Sequence, residues 1–277
     1  MLRQRLVSAA VLVPVVVAIF LLGRPWIDAF VVAVAALAAW EAFALLAGAG
    51  YAGFARYGTL LAAAIVVVGV LLSDRAGDPL LEVPAIGALL AGGAALFLRD
   101  PRTGLAAWVA TMFGAGYVGL LGFAPLLLTI APPVPATAPL AALDGGRGWL
   151  LVLITGVWSY DSFAYAFGRA FGRRRFLQHI SPSKTYAGLV GGLAGAVIVA
   201  GLVLAALGRS PLEGIPVGLL VGLAAQAGDL AESMLKRAAN AKDSGHLIPG
   251  HGGMLDRVDS FLFAAPILAG YVALVTR

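Results

Sequence analysis

Residues 186–208 read YAGLVGGLAGAVIVAGLVLAALG, a stretch with no charged side chain and many alanines and glycines. Its length is close to the roughly 20 residues that an α-helix needs to cross a hydrocarbon core of about 30 Å. A transmembrane β-strand would alternate polar and apolar residues, whereas this stretch and residues 58–73 are apolar on every side. The sequence therefore predicts a transmembrane helix at 186–208.

Similar apolar stretches recur along all 277 residues, of which 61% are hydrophobic and only 12% are charged. A water-soluble domain of this size could not bury so much apolar surface. We predict an all-α, polytopic integral membrane protein whose nine transmembrane helices cover residues 6–23, 27–48, 58–73, 81–98, 104–130, 148–170, 186–208, 214–230 and 259–276. The fifth span is long, and we expect it to break near Gly122 or Pro125.

The distribution of basic residues predicts the topology. With a cytoplasmic N-terminus, 14 of the 19 Lys and Arg residues lie on the inner side, as the positive-inside rule requires. The polar loops 171–185 and 231–258 then face the cytoplasm, and we expect the inner cell membrane. We divide the chain into N-terminal transmembrane helices, 1–147, and a C-terminal transmembrane region with cytoplasmic loops, 148–277, in which we expect the functional site. The basic residues form no separate soluble domain, so we expect no nucleic acid partner.

Five polar residues at the end of the eighth span have helical spacing. Asp229, Glu232, Ser233, Lys236 and Arg237 stand at i, i+3, i+4, i+7 and i+8 and would form one stripe. An ionised Asp at the edge of hydrocarbon costs several kcal/mol unless it is paired. A divalent metal, Lys236 or Arg237 could be the partner of Asp229. The alternative interpretation is a self-neutralising ladder in which Glu232 pairs with Lys236.

The loop that follows, 242–259, combines turn residues with charges. Its glycines, Gly252 and Gly253 among them, allow the backbone to approach a ligand, and exposed N–H groups in such turns can hold phosphate. Asp256 and Asp259 carry the oxygen donors that Mg²⁺ prefers. The loop also contains Lys242, Asp243, His251 and Arg257. A plain connector between helices is the alternative.

Asp161 lies within the sixth predicted span, on the same helical face as Tyr165, Gly168 and Gly172. The glycines on this face would permit close contact with another helix, a common and unspecific pattern. We consider Asp161 both as a substrate-binding residue and as a neutral, hydrogen-bonded side chain inside the helix bundle.

A further candidate site precedes the seventh span. Ser181 before Pro182 is typical of an N-cap followed by a first-turn proline, which would place Lys184 and Thr185 at a helix N-terminus. Helix N-termini attract anions through their free N–H groups. Ordinary capping beside a snorkelling lysine is the alternative.

The remaining polar residues favour no separate site. Glu41 within the second span is an isolated acid that we expect to hydrogen bond to a neighbouring helix. The three histidines lack the HExxH pattern of zinc proteases. The chain has no cysteine, which excludes structural disulfides, thiolate catalysis and Cys-ligated metal centres.

Taken together, the polar segments resemble a known family. Ser233, Lys236-Arg237, Lys242-Asp243, Gly245, Pro249 to Gly253, Asp256-Arg257 and Asp259 are similar to the signature of phosphatidate cytidylyltransferases, or CDP-diacylglycerol synthases. Gly228-Asp229 and Ser181-Pro182-x-Lys184-Thr185 resemble further motifs of that family. The resemblance covers about 155–260, and the N-terminal half matches in hydropathy and in Trp40-Glu41. One departure is Ala187, which stands where the family pattern has Glu.

The resemblance implies a Mg²⁺-dependent reaction of CTP with phosphatidic acid that releases pyrophosphate. It implies metal ligation by Asp229 and Asp256, with Glu232 and Asp259 as further candidates, and phosphate binding by Lys236, Arg237, Lys242 and Arg257. Lys184 is our candidate for the lipid phosphate. Whether the site holds a second cation and whether the protein forms a homodimer are left open by the sequence.

Two other functions are compatible with parts of the sequence. A CTP-dependent kinase of polyprenol or phytol would need a base for a neutral hydroxyl, and it would release CDP instead of pyrophosphate. A transporter would carry acids near the midplane of several helices and helices broken at depth, whereas most charges here gather at the cytoplasmic ends.

Overall fold

The computed structural model describes residues 2–71 and 79–276, and within these ranges it contains ten α-helices and no β-strand. The helices are α1 (Leu2–Leu22), α2 (Trp26–Gly48), α3 (Ala55–Leu71), α4 (Pro79–Ala95), α5 (Pro101–Gly119), α6 (Phe123–Ile130), α7 (Gly145–Phe171), α8 (Tyr186–Ala206), α9 (Gly214–Ala238) and α10 (Leu255–Val275). The predicted all-α fold is confirmed.

The helices account for the nine predicted spans. In the described part of the chain, six helical segments are long and apolar enough to cross a bilayer, and α1, α3 and α4 supply three shorter apolar stretches. A 3₁₀ turn at Leu120–Gly122 separates α5 from α6, which confirms the expected break in the fifth span. Residues 72–73 of the third predicted span lie outside the described residues.

Two helices extend beyond their predicted transmembrane spans, and both extensions border the polar loop. Helix α9 continues past 230 to Ala238, so the predicted stripe from Asp229 to Arg237 is helical. Helix α10 begins at Leu255, four residues before the predicted start of its span at 259. The charged residues at the end of α9 have good helix propensity, so the helix continues beyond the apolar span. Asp256, predicted in the loop, belongs to the first turn of α10, where a carboxylate interacts favourably with the helix dipole.

The helices pack into two compact units. One contains residues 1–125 and 235–258, and the other contains 126–234 and 259–277. Each unit combines separated parts of the chain. The predicted regions 1–147 and 148–277 follow the chain instead, and that functional division stays a prediction.

In the unit of 1–125 and 235–258, one aromatic ring packs between three helices. Phe43 of α2 is only 2% exposed, and its ring lies against Gly58 of α3 and Gly114 of α5. Neither glycine has room for a β-carbon beside the ring. The absent side chains let the three backbones approach closely, as small residues do in membrane helix packing.

In the unit of 126–234 and 259–277, glycines of α8 serve the same purpose. Gly191, Gly192 and Gly195 face aromatic side chains of α7, respectively Phe167, Tyr160 and Phe163. Elsewhere on α8, Val197 and Gly201 contact Gly218 and Gly214 of α9 through the backbone. Close approach of α8 to α7 and α9 fixes where the ends of these helices lie.

Replacing Gly114 by Ala should destabilise the protein, because the new methyl group would lie 2.7 Å from the Phe43 ring, which Gly58 confines on its other side. Overpacking of this kind costs about 1–3 kcal/mol. Gly116→Ala on the same helix is the control, since nothing lies within 4 Å of its β-carbon position. Thermal unfolding in detergent should show a lower Tm for Gly114→Ala alone. Equal Tm values would contradict the packing described for Phe43.

Candidate active site

Each unit contains one cluster of the predicted site residues. We call Lys236, the loop 239–254 and Asp256 the loop cluster, which lies in the unit of 1–125 and 235–258. We call Lys184, Thr185 and Asp229 the helix-end cluster, which lies in the unit of 126–234 and 259–277.

The loop cluster is centred on the Asp256 carboxylate. Lys236 Nζ lies 2.7 Å from Oδ1, and the backbone N–H groups of Ser244 and Gly253 donate to Oδ2 at 2.9 and 2.8 Å. The Ser244 Oγ atom is also 2.9 Å from Oδ2. Because both carboxylate oxygens are engaged, the half-buried negative charge is well compensated.

Backbone turns bring the loop to this carboxylate. Gly250 and Gly252 have φ values of +78° and +85°, in the left-handed region that favours glycine. The His251 N–H donates to the Ile248 carbonyl at 2.9 Å, and the Ile248 N–H donates to the Gly252 carbonyl at the same distance. These turns place Gly253 so that its N–H points at Asp256. The glycines predicted to allow close approach therefore approach an acid of the protein itself.

Three predicted phosphate-binding or catalytic side chains of the loop cluster are exposed, namely Lys242, Asp243 and Arg257. Arg257 donates from one guanidinium nitrogen to the His251 carbonyl at 2.6 Å, which ties it to the loop. Arg237 is also exposed and donates to the Ala241 carbonyl at 3.3 Å. The cations are thus available to an anionic ligand, while Asp256 beside them is not free of partners.

Glu41 belongs to this cluster, although sequence reasoning did not place it in the site. Its Oε2 atom accepts the Leu255 N–H at 2.8 Å and lies 2.9 Å from Ser244 Oγ. The expectation that Glu41 hydrogen bonds to a neighbouring helix is confirmed, since Leu255 is the first residue of α10. The available signal was the presence of an acid within an apolar span.

The helix-end cluster contains an ion pair between Lys184 and Asp229, each with 24% of its side chain exposed. The partners considered for Asp229 from the sequence were a divalent metal, Lys236 or Arg237. The structure shows Lys184, which was not among them, as an ion-pair partner, and the metal stays a prediction. The two residues belong to separate elements, Lys184 to the loop before α8 and Asp229 to α9. Their proximity follows from the close packing of α8 and α9.

The residue that caps α8 differs from the predicted one. Thr185, and not Ser181, is the N-cap: its side chain accepts the Gly188 N–H at 3.1 Å, and its backbone is extended. Ser181 and Pro182 lie in the preceding loop, because the helix begins only at Tyr186. Lys184 therefore immediately precedes the cap, close to the helix N-terminus as predicted.

The other predicted site residues are distributed around these clusters. The five residues of the predicted stripe all lie in the continuous helix α9, where Ser233 is half-buried and Glu232 is fully buried. Asp161 is exposed on α7. The Asp259 carbonyl lies against Gly228, and its carboxylate accepts the Ser260 N–H at 2.7 Å. The predicted proximity of Asp229 and Asp256 stays a prediction.

Ala187, the departure from the family pattern, lies on the first turn of α8 and lines an apolar cleft of about 450 Å³. The cleft lies along α7 and α8, and its other lining residues are Phe167, Phe171, Tyr186, Val190, Gly191 and Ala194. Apart from the Tyr186 hydroxyl, these side chains are apolar, and an alanine at 187 is compatible with such a lining.

The carboxylate oxygens of Asp229 and Asp256 are of the type that binds Mg²⁺. Across residues 2–71 and 79–276, no three His, Cys, Asp or Glu side chains converge closely enough to hold a metal ion. Mg²⁺ does not require such a cage, since it is usually held by one or two carboxylates together with water and substrate phosphates. Asp229 could contribute an oxygen beside Lys184, and Asp256 could do so if its Oδ1 exchanged Lys236 for the ion.

Replacing Thr185 by Val should lower the stability of the protein by about 1 kcal/mol, because an N-cap oxygen is lost while the side-chain shape is retained. Thr185→Ser keeps the oxygen and serves as the control. Thermal unfolding in detergent should show a lower Tm for Val and a smaller change for Ser. A similar loss of Tm in both variants would contradict the capping role.

Comparisons with known proteins show the family of this chain. Residues 3–275 match the model of the cytidylyltransferase family. The chain is similar to a phosphatidate cytidylyltransferase of Brucella abortus biovar 1, with 40% identity over 206 residues, 74% of this chain and 69% of that protein. Phosphatidate cytidylyltransferases of Synechocystis and Pseudomonas aeruginosa are 32% and 33% identical, and the alignments cover 98% and 97% of this chain and 97% and 96% of those proteins. The chain belongs to the cytidylyltransferase family.

Proposed function

We infer that this integral membrane protein transfers the cytidylyl group of CTP to phosphatidic acid, giving CDP-diacylglycerol and pyrophosphate. Family membership over residues 3–275 is the observation that carries this inference. The three relatives described above bear the name of this activity.

In this reaction a phosphate oxygen of the lipid attacks the α-phosphorus of CTP. A new P–O–P bond forms, the bond between the α-phosphorus and its bridging oxygen breaks, and pyrophosphate leaves with the electron pair. The nucleophile is already an anion, so the protein need not provide a base. A lipid kinase acting on a neutral hydroxyl would need one. The main barrier is the in-line approach of several negative groups.

The loop cluster supports a role in binding the triphosphate. Exposed Lys242, Arg237 and Arg257 lie on or beside a loop whose backbone is fixed by Asp256. Cations held in advance near the developing charge of a phosphoryl transfer provide much of the rate. We propose that these side chains, with Lys236, His251, Gly252 and Gly253, bind the phosphates of CTP, and that Asp243 is a catalytic residue of the same loop.

The helix-end cluster supports a role in binding the lipid phosphate. Lys184 lies beside the N-terminus of α8, where the backbone favours anions, and its present partner Asp229 neutralises it. A lipid phosphate would compete with Asp229 for the ammonium group. We propose Lys184 as the principal contact, with Ser181, Thr185, Ser233 and Asp161 as candidates around the lipid.

We propose Mg²⁺ as the cofactor, held by Asp229 and Asp256 with Glu232 and Asp259 as further candidate ligands. A bound divalent ion would neutralise charge on the phosphoryl oxygens. We also propose that the active site faces the cytoplasm across the inner cell membrane, because CTP is a cytoplasmic metabolite and the charge distribution favours that side. A second cation and a homodimer remain expectations.

Purified protein with phosphatidic acid, Mg²⁺ and CTP labelled at the α-phosphorus should convert the label into lipid and release pyrophosphate. The lipid kinase alternative would leave that label in water-soluble CDP. A transporter would leave CTP intact. Label recovered only as CDP, or CTP that stays intact, would contradict the proposed function.

Asp229→Asn and Asp256→Asn should each lower turnover by about 100-fold or more, because each removes a charge that the proposal places next to the reacting phosphates. Asp100→Asn is the matched control, since Asp100 caps α5 outside both clusters and Asn caps equally well. Circular dichroism in detergent should show that all three variants stay folded. Unchanged turnover in both Asp229→Asn and Asp256→Asn would contradict the proposed metal-binding and charge-neutralising roles of these two acids.

A further inference from the structure

Glu41 makes contacts that reach across most of the chain. It lies on α2 and is 8% exposed, and its Oε2 atom binds Ser244 and Leu255, which are 203 and 214 residues further along. The Leu255 N–H is one of the donors at a helix N-terminus that have no partner within the helix. Glu41 thus fastens the beginning of α10 to α2.

The loop closes tightly around this carboxylate. A β-carbon at Gly245 would meet Oε1 of Glu41, and one at Gly253 would meet Oε2. Two glycines of the loop are therefore needed in order to accommodate the acid. Both glycines therefore confine the Glu41 carboxylate in addition to its hydrogen bonds.

Ser244 links Glu41 to Asp256. Its Oγ atom lies 2.9 Å from both carboxylates, and its single hydroxyl proton can be donated to only one of them at a time. The Ser244 Oγ atom in turn accepts the Asp256 N–H at 3.2 Å. A continuous chain of contacts therefore leads from Glu41 through Ser244 and Asp256 to Lys236.

A second acid on α2 shows what an ordinary buried carboxylate looks like in this protein. Asp28 is also 8% exposed, but it pairs with Arg24 on the preceding turn of the chain, with 2.7 Å between Nε and Oδ2. Its contacts are local, whereas those of Glu41 join α2 to the loop cluster. Burial alone thus does not distinguish the two acids, but their partners do.

We propose that Glu41 is a positioning residue for cytidylyl transfer: its Oε2 atom holds Ser244 and the first residue of α10 so that Asp256 and Lys236 stay aligned. This inference rests on the proposed function. Glu41 acts as a hydrogen-bond acceptor at a fixed point and does not itself touch the substrate.

Three substitutions separate this role from a general effect of charge. Glu41→Gln can place its amide oxygen at the Oε2 position and keep both hydrogen bonds. Glu41→Asp keeps the charge but withdraws the oxygens by about 1.5 Å, the length of one C–C bond. Glu41→Ala removes the acceptor. We expect Gln to retain kcat within about threefold, and Asp and Ala to lose about 100-fold, as misplacement by about 1 Å typically causes.

The KM values for CTP and phosphatidic acid should change by less than about threefold in these variants, because the loss falls on alignment in the transition state. Hydrogen exchange of residues 242–258 should be faster in Glu41→Asp and Glu41→Ala than in the wild type. Asp28→Asn is the control and should change neither kcat nor this exchange. If Glu41→Ala does not fold, the proposal is tested by comparing kcat of Glu41→Gln with kcat of Glu41→Asp.

The proposal also predicts non-additivity. Because Glu41 acts through Ser244, the double variant Glu41→Asp/Ser244→Ala should be no slower than the slower single variant. The proposal would be overturned if the double variant lost the product of the two single losses in kcat. It would also be overturned if Glu41→Asp kept the wild-type kcat, or if Glu41→Gln were as slow as Glu41→Asp. Failure of the proposed function gives a different result, since the wild-type protein would then form no CDP-diacylglycerol.

Discussion

An ionised carboxylate near hydrocarbon is stable only when donors or a cation compensate its charge, and the polar architecture of this protein follows from that constraint. Asp256 accepts two backbone N–H groups and pairs with Lys236. Asp229 pairs with Lys184, and Glu41 binds the first N–H group of α10. Each acid thereby joins separate segments of the chain, so compensating its charge also assembles the cluster to which it belongs.

Close backbone packing makes this compensation possible. Short hydrogen bonds require the donor segments to come within 3 Å of the acids, and bulky side chains would prevent that approach. Glycines remove the obstacle at both levels, in the helix contacts around Phe43 and along α8, and in the loop at Gly245 and Gly253. The high glycine content thus serves helix packing and the polar clusters alike. Hydrophobic burial between helices contributes little in a bilayer, because the lipid is itself apolar.

The fold could be predicted from the sequence because long apolar stretches leave few alternatives in a membrane. The positions of most helices followed from those stretches, and the helical stripe beyond the apolar span of α9 followed from the spacing of its polar residues. The start of α10 did not follow, because Asp256 comes shortly after the glycines of the loop. Thr185 was missed as the cap of α8, because Ser181 followed by Pro182 has the more typical capping sequence and the helix begins only at Tyr186. The partners of Asp229 and Glu41 could not be predicted from the sequence either. They lie in other helices or loops, and a single sequence contains no information on such distant pairs.

The separation of Glu41 from its partners also has a consequence for biosynthesis. A ribosome adds about 5–20 residues per second, so the 203 residues between Glu41 and Ser244 take on the order of tens of seconds to synthesise. During that interval α2 has left the ribosome while the donors to its acid do not yet exist. The nascent chain therefore has to keep this carboxyl group protonated, hydrated or beside other protein groups until the last helix emerges, and the loop cluster forms only near the end of translation.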